Sequence, residues 1–450
     1  MKLELHPDAV TDFNRKADKL LLELEPIPQK SSPIHKNSFH PDTFISALIT
    51  EKDIIDEIRI SSVDQTGTEV AKYFSHSDTT IGLQGESYKK LAYISQEMQR
   101  TKELYRKVSV TLLTNLIFDW LKDKYKNTTD LSMVEYVLNK CEGKIQELEI
   151  WIPIAMLHIQ SEIKIGQITL KTITREMFDH WRTEAKRKNL AETDKLKEWF
   201  DEEQKVLQGL AASTIKLCAE PERGFEIALE ETEKSLSLLR FFSPSNLHPE
   251  IPSYCTVLGK ENIELVKHLI IRDGELIMIT SSTVDKAIQD WVIDDLLLSK
   301  LKSPGLEILS NLLVQDCKTE FQDKVLDSLL LYSRSSLAKN LADKLVYILV
   351  ALESILLKNE NEPIQQNIGE RMAFFIGTNL SERKSIIKNL KKAYTLRSSF
   401  IHHGRTVEDL ETLKEFMLNA WMFFSQLIQN VNHFNTRGQF IDAIEDRKLR

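Results

Sequence analysis

The chain predicts an α+β protein in which a mixed strand and helix region precedes an all-helical C-terminal bundle. Three observations carry that expectation. Strand-forming runs recur in the first 300 residues. Residues 268–279 set Asp273-Gly274 between two apolar runs, the chemistry of a hairpin turn. Beyond Ser303-Pro304-Gly305 the apolar residues recur at three- and four-residue spacing. A chain of 450 residues, 42% hydrophobic and 28% charged, can bury more than one core, which favours two or three domains. The expected division is an irregular segment over 1–50, a mixed α+β domain over 51–300 and a helical bundle over 301–450.

In chain order, Pro26, Pro28, Pro33 and Pro41 punctuate the irregular start. Short strands are expected over 54–62 and 68–74, with helical or mixed structure over 87–122. Residues 147–160 are rich in strand formers, and 163–174 reads as a strand pair broken at Gly166. From 174 to 219 the Lys, Glu, Leu and Ala content favours helices, and 225–242 reads as another. The bundle begins with an apolar stripe over 321–358, then a shorter helix from Pro363 toward Gly377. A third helix, capped by Ser381, runs up to Gly404. Thr406 and Asp409 suggest a capping box for a last helix with Leu410, Leu413, Met417, Trp421, Phe424 and Ile428 on one face.

Composition narrows the function classes. No apolar run is long enough to span a bilayer and the start lacks a secretory block, so a cytoplasmic protein with no membrane association is expected. Cys141, Cys218, Cys255 and Cys317 are scattered without a CxxC pair, which argues for buried free thiols rather than disulfides or a zinc site. Net charge is −8, against bulk coating of nucleic acid, yet residues 371–405 hold eight Lys and Arg against Glu382 alone. That run is either a solvated helix face or a phosphate-tracking surface. His158 is expected to be a half-buried packing residue. Trp421, Phe423 and Phe424 are expected in core or dimer packing rather than as a base-stacking platform. Gly-rich phosphate loops, a Ser/His/Asp order and metal-ligand spacing are all missing, so no cofactor or metal is expected.

Chemistry concentrates in Tyr394-Thr395-Leu396-Arg397-Ser398-Ser399-Phe400-Ile401-His402-His403-Gly404. Arginine supplies a permanent planar cation suited to phosphate, and histidine moves a proton near neutral pH. Five residues apart on a regular helix, Arg397 and His402 point about 140° from one another. Either the last turn unwinds or the two residues meet across a cleft with a second copy.

This run resembles the Arg-x4-6-His signature of HEPN domains, in the LRSxxxHG form of the Apea-like HEPN family. The segment Leu349-Val350-Ala351-Leu352-Glu353-Ser354-Ile355-Leu356 is similar to that family's helix with an apolar-Leu-Glu-x-Leu element. Gly369-Glu370-Arg371-Met372-Ala373-Phe374-Phe375-Ile376 resembles the helix that follows. The resemblance covers about 305–440, and the region 50–290 is similar to the domain preceding this HEPN type in bacterial anti-phage proteins. It implies a metal-independent endoribonuclease of anti-phage, abortive-infection defence, working as a homodimer or higher even oligomer. RNA, including transfer RNA, is the implied substrate, and the preceding domain is the implied sensor or regulator of a phage-derived trigger. Arg397 and His402 are the implied catalytic pair, with Glu353 orienting the arginine or forming a structural ion pair. The family pattern has one histidine before the glycine. Here His402 keeps the x4 spacing while His403 adjoins Gly404, so either imidazole fits. A non-catalytic HEPN dimerisation and interaction module is the alternative.

Overall fold

A computed structural model of the chain describes residues 2–26, 60–76, 79–187, 194–251, 253, 255–260, 265–272, 275–283, 290–359, 361–403, 407 and 409–449. It is an α+β protein with strands and helices mixed in the first part and a run of helices at the C-terminal end. Two compact units emerge, Met1–Leu148 with Lys216–Ile227, and Glu149–Ile215 with Ala228–Arg450. The division falls at 148/149 rather than near residue 300, and most of 149–300 belongs with the helices.

The first unit opens with α1 (Pro7–Leu21), where Pro7 takes the first helical position and Phe13, Ala17 and Leu20 form the buried stripe. A helix thus occupies part of the segment expected to be irregular, whose residues 27–50 lie outside the described ones. Strands β1 (Glu25–Pro26), β2 (Ile60–Val63), β3 (Glu69–His76) and β4 (Thr79–Gln84) form an antiparallel sheet in the order β1-β4-β3-β2. Helices α2 (Glu86–Gln99), α3 (Val110–Tyr125) and α4 (Met133–Glu142) follow. Ser109 and Ser132 cap α3 and α4 through hydroxyls that accept from Leu112 and Glu135 backbone N–H groups. Leu91, Leu113, Ile117, Trp120 and Val137 share one core with α1.

Next come β5 (Gln146–Ala155), β6 (Leu157–Ile159), β7 (Ile163–Ile165) and β8 (Ile168–Thr172), then α5 (Arg175–Arg187), α6 (Asp194–Leu207), β9 (Ala211–Ala219) and α7 (Pro221–Arg240). Strands β10 (Thr256–Val257), β11 (Leu265–Arg272), β12 (Glu275–Thr283) and β13 (Trp291–Ile293) complete the strand set. A five-stranded sheet runs β10-β5-β9-β8-β7, while β13 pairs in parallel with β6. The β11–β12 hairpin forms as expected, and its Asp273-Gly274 turn lies outside the described residues. Strand β9, in a segment expected to be helical, is an interior strand: Ala211 and Ala212 are fully buried and it pairs with β8 over Ala211–Thr214. Small side chains suit a position that packs on both faces, and tertiary pairing overrides the helix propensity of alanine. Gly166 has φ of 63° in the β7–β8 turn, and a Cβ there would meet the Leu313 side chain at 2.9 Å.

The helical part comprises α8 (Asp295–Lys302), α9 (Leu306–Val314), α10 (Glu320–Leu337), α11 (Leu341–Leu356), α12 (Ile364–Ile376), α13 (Leu380–His403), α14 (Leu410–Gln429) and α15 (Arg437–Lys448). The stripe over 321–358 is two helices, not one: Asn340 ends the interruption by accepting from Ala342 N–H and starting α11 afresh. Pro363 caps α12 as expected. Reciprocal capping boxes, Thr319 with Gln322 and Thr436 with Gln439, start α10 and α15. Phe321, Phe423, Phe424 and Phe440 are fully buried, and Trp421 is half-buried, stacking on Phe241 and donating to its carbonyl oxygen at 3.3 Å.

Candidate active site

Helix α13 carries the Arg/His run, and its first turn explains where it begins. The Asn379 side chain accepts from Glu382 N–H at 3.0 Å, while the Glu382 carboxylate accepts from Thr378 N–H at 2.8 Å. Asn379, rather than Ser381, therefore caps it. Ile386, Leu390 and Ala393 are buried, and the Asn389 amide reaches the Thr412 carbonyl (3.0 Å) and Glu415 (3.2 Å) on α14. The helix continues through His403. Gly404 and Thr406 lie outside the described residues, and Asp409 caps α14 by accepting from Thr412 N–H.

Continuity through His403 excludes an unwound last turn within one copy. Arg397 falls on the face shared with Ile386, Leu390 and Ala393, about 140° around the helix from His402. It is half-buried. Its Nε is buried with no hydrogen-bond partner, while His402 and His403 are exposed. One protomer therefore does not bring the guanidinium and either imidazole together.

Glu353, on α11, is occupied by a different partner. Its carboxylate accepts from the Tyr394 hydroxyl at 2.9 Å, one turn before Arg397, and no Glu353–Arg397 ion pair forms. Burial, then the Glu353 charge and hydrogen bond, push the Tyr394 hydroxyl well above the usual phenol range, while Arg397 opposes.

The basic run separates into two populations. Arg371 is 4% exposed, with N–H groups bound by both Glu362 oxygens (2.7 and 2.9 Å), Glu445 (2.7 Å) and the Leu356 carbonyl (2.6 Å). Arg383 lies over the Phe374 ring and donates to the Gly377 carbonyl. Neither belongs to a phosphate-tracking surface, and Arg405 lies outside the described residues. Lys384, Lys388, Lys391 and Lys392 are exposed, donate no hydrogen bond and form no ion pair among the described residues, although Lys392 helps hold the Asp409 carboxyl down. Their spacing puts them within an arc of about 100° that also contains His402, over about 27 Å of helix.

Some polar positions escaped the sequence reading. Lys344 is 1% exposed on α11, and Arg371 is the hub of an ion network that also draws in Lys448 and Glu370. The available signal was a cation inside an apolar stripe: Lys344 is four residues from Ile348, and Arg371 three from Ile368. His158 is half-buried as expected, its ring spanning the Gly209 carbonyl (2.7 Å) and Asp290 (3.1 Å). Of the thiols, Cys141 and Cys255 are buried but Cys218 and Cys317 are exposed, so only half the expectation holds. Burial pushes both buried thiols up to about 12.

Among the described residues no cluster of three or more His, Cys, Asp or Glu could hold a metal ion, and no helix is long and apolar enough to cross a membrane. No family model, curated protein or solved structure matches the chain.

Proposed function

We propose that the protein is an HEPN-type endoribonuclease that cleaves RNA by 2′-hydroxyl attack. The observation that carries this reading is the face of α13 on which His402 shares an arc with four exposed lysines that form no ion pair among the described residues. Such a face attracts a phosphodiester backbone and delivers it to an imidazole. Arg397, with an unsatisfied buried Nε, supplies the cation for the nonbridging oxygens. In the reaction the ribose 2′-OH loses its proton to His402 or His403 and attacks the adjacent phosphorus. The 5′-oxygen leaves with a proton, giving 2′,3′-cyclic phosphate and 5′-OH ends.

Because Arg397 and His402 diverge within one chain, the reading requires a second copy to complete the site. The motif resemblance supports such a dimer, and also the setting of anti-phage defence, in which the residues preceding the bundle respond to a trigger. The test is incubation of the purified protein with transfer RNA and total RNA in EDTA, followed by chemical identification of the ends. Cyclic phosphate ends lost in Arg397→Ala and His402→Ala are expected. Cleavage that needs added divalent metal, or that survives both substitutions, refutes the reading.

The divergence itself favours a second reading, a non-catalytic helical dimerisation and interaction module, in which Arg397 serves packing on the core-facing side of α13. In that case the protein is dimeric and leaves RNA intact.

A further inference from the structure

We propose that the cavity beside Lys344 binds a small oxyanion, a phosphate or a carboxylate, gripped by the Lys344 ammonium between the N-terminal ends of α11 and α14. The cavity measures about 270 Å³ and is lined by Glu250, Lys339, Leu341, Lys344 and Leu410, among others. That is room for a phosphate or a four-carbon dicarboxylate.

The site combines hydrogen-bond donors at two helix starts with a buried ammonium. Leu341 is the first residue of α11 and Leu410 the first of α14, so first-turn N–H groups that the Asn340 and Asp409 caps leave over border the same space. The ammonium is that of Lys344, 1% exposed, whose Nζ donates to one acceptor among the described residues, the Ile251 carbonyl oxygen at 3.3 Å. An ammonium carries three donors, and a buried charge left with one long hydrogen bond costs free energy that a counter-anion would recover. Burial lowers its pKa to about 8, so it stays protonated at neutral pH.

The one carboxylate in the lining does not fill this need. Glu250 accepts its hydrogen bond from Lys414 at 2.8 Å rather than from Lys344, and its charge, held ionised by that pair, helps keep the ammonium protonated. An anion seated here would tie the start of α11 to the start of α14.

Thermal unfolding of the full chain tests this, with inorganic phosphate and succinate as probes and chloride at matched ionic strength as the control. At saturation one probe should raise the midpoint by roughly 2–4 °C above chloride. A response to phosphate assigns the site to phosphates, a response to succinate to carboxylates, and either should vanish in Lys344→Met. A wild type indifferent to both probes, or a folded Lys344→Met that responds like wild type, overturns the proposal. Should Lys344→Met not fold, the wild type decides alone: the responding anion must slow acetylation of Lys344 by acetic anhydride, and an unchanged rate overturns the site. None of these outcomes depends on ribonuclease activity.

Discussion

The Tyr394 hydroxyl donates to the Glu353 carboxylate at 2.9 Å, joining α13 to α11 one turn before Arg397. This bond gives the glutamate of the apolar-Leu-Glu-x-Leu element a packing role that needs no arginine. Tyr394→Phe removes the donor from a half-buried carboxylate and should cost about 1–3 kcal/mol in urea unfolding. Glu353→Gln keeps an acceptor and should cost less. Equal costs would mean that the carboxylate charge, rather than this hydrogen bond, matters.

Arg371 and Glu362 make a bidentate pair, and that contact, aided by the Lys358 N–H, lowers the Glu362 carboxyl from 4.5 to about 2. A depressed carboxyl stabilises the fold above its unfolded pKa, and that contribution drains away as pH falls from about 4.5 toward 2. Glu362→Gln should therefore destabilise by on the order of 3 kcal/mol at pH 7, with a smaller difference at pH 3. Urea midpoints at the two pH values measure it, and a pH-independent difference would refute the linkage.

The same two residues show why part of the molecule was legible beforehand and part was not. The hairpin over 265–283, the strands around Gly166 and the start of α12 follow from turn and cap chemistry written locally in the chain, while α14 starts at Leu410 with Asp409 as its cap rather than as the third residue of a box begun at Thr406. Arg371 looked like a surface cation because its partner Glu445 lies 74 residues away, and charge counting cannot see such pairings. Strand β9 was hidden because Ala211 and Ala212 favour helices until neighbouring strands claim them. At the candidate site, helix periodicity alone anticipated the divergence of Arg397 and His402. That Tyr394 occupies Glu353 depends on how α13 packs on α11.

Lys344, like Glu362, has a lowered pKa, but in Lys344 the shift penalises the charged form instead of favouring it. Its native pKa, about 8, lies below the ordinary 10.5, so the unfolded chain binds more protons between those values and wild-type stability rises with pH across that window. Lys344→Met removes a buried charge and should stabilise the anion-free protein by about 1–3 kcal/mol at pH 7. That advantage should shrink as pH rises from 8 toward 10.5. A variant less stable than wild type at pH 7 would show that the ammonium contributes more through Ile251 than its desolvation costs.

The four lysines of α13 predict a salt dependence. If each neutralises one phosphate of single-stranded RNA, the slope of log K against log salt should be about −3, from −0.7 per contact. Lys384→Gln with Lys388→Gln should halve that slope and leave unfolding within about 0.5 kcal/mol of wild type, because both side chains are exposed and form no ion pair among the described residues. Filter binding with a cleavage-resistant 2′-deoxy strand measures it. An unchanged slope removes this face from the RNA path.

The divergence of Arg397 and His402 yields a test of how the proposed site is assembled. Helix α13 runs unbroken through His403 and leaves the two groups about 140° apart, so a site that takes both must draw them from different copies. In a twofold dimer each of two sites would then use Arg397 of one chain and His402 of the other. Arg397→Ala and His402→Ala should each be inactive alone. Mixed and re-associated, half the dimers are heterodimers with one intact site in two, so about a quarter of wild-type activity should return. His403→Ala mixed with Arg397→Ala extends the same test to the second imidazole, and recovery only with the His402 variant would name His402 as the proton carrier. If mixing restores nothing while both variants remain dimeric and exchange subunits, the two groups do not share a site across the interface, and the interaction-module reading takes precedence.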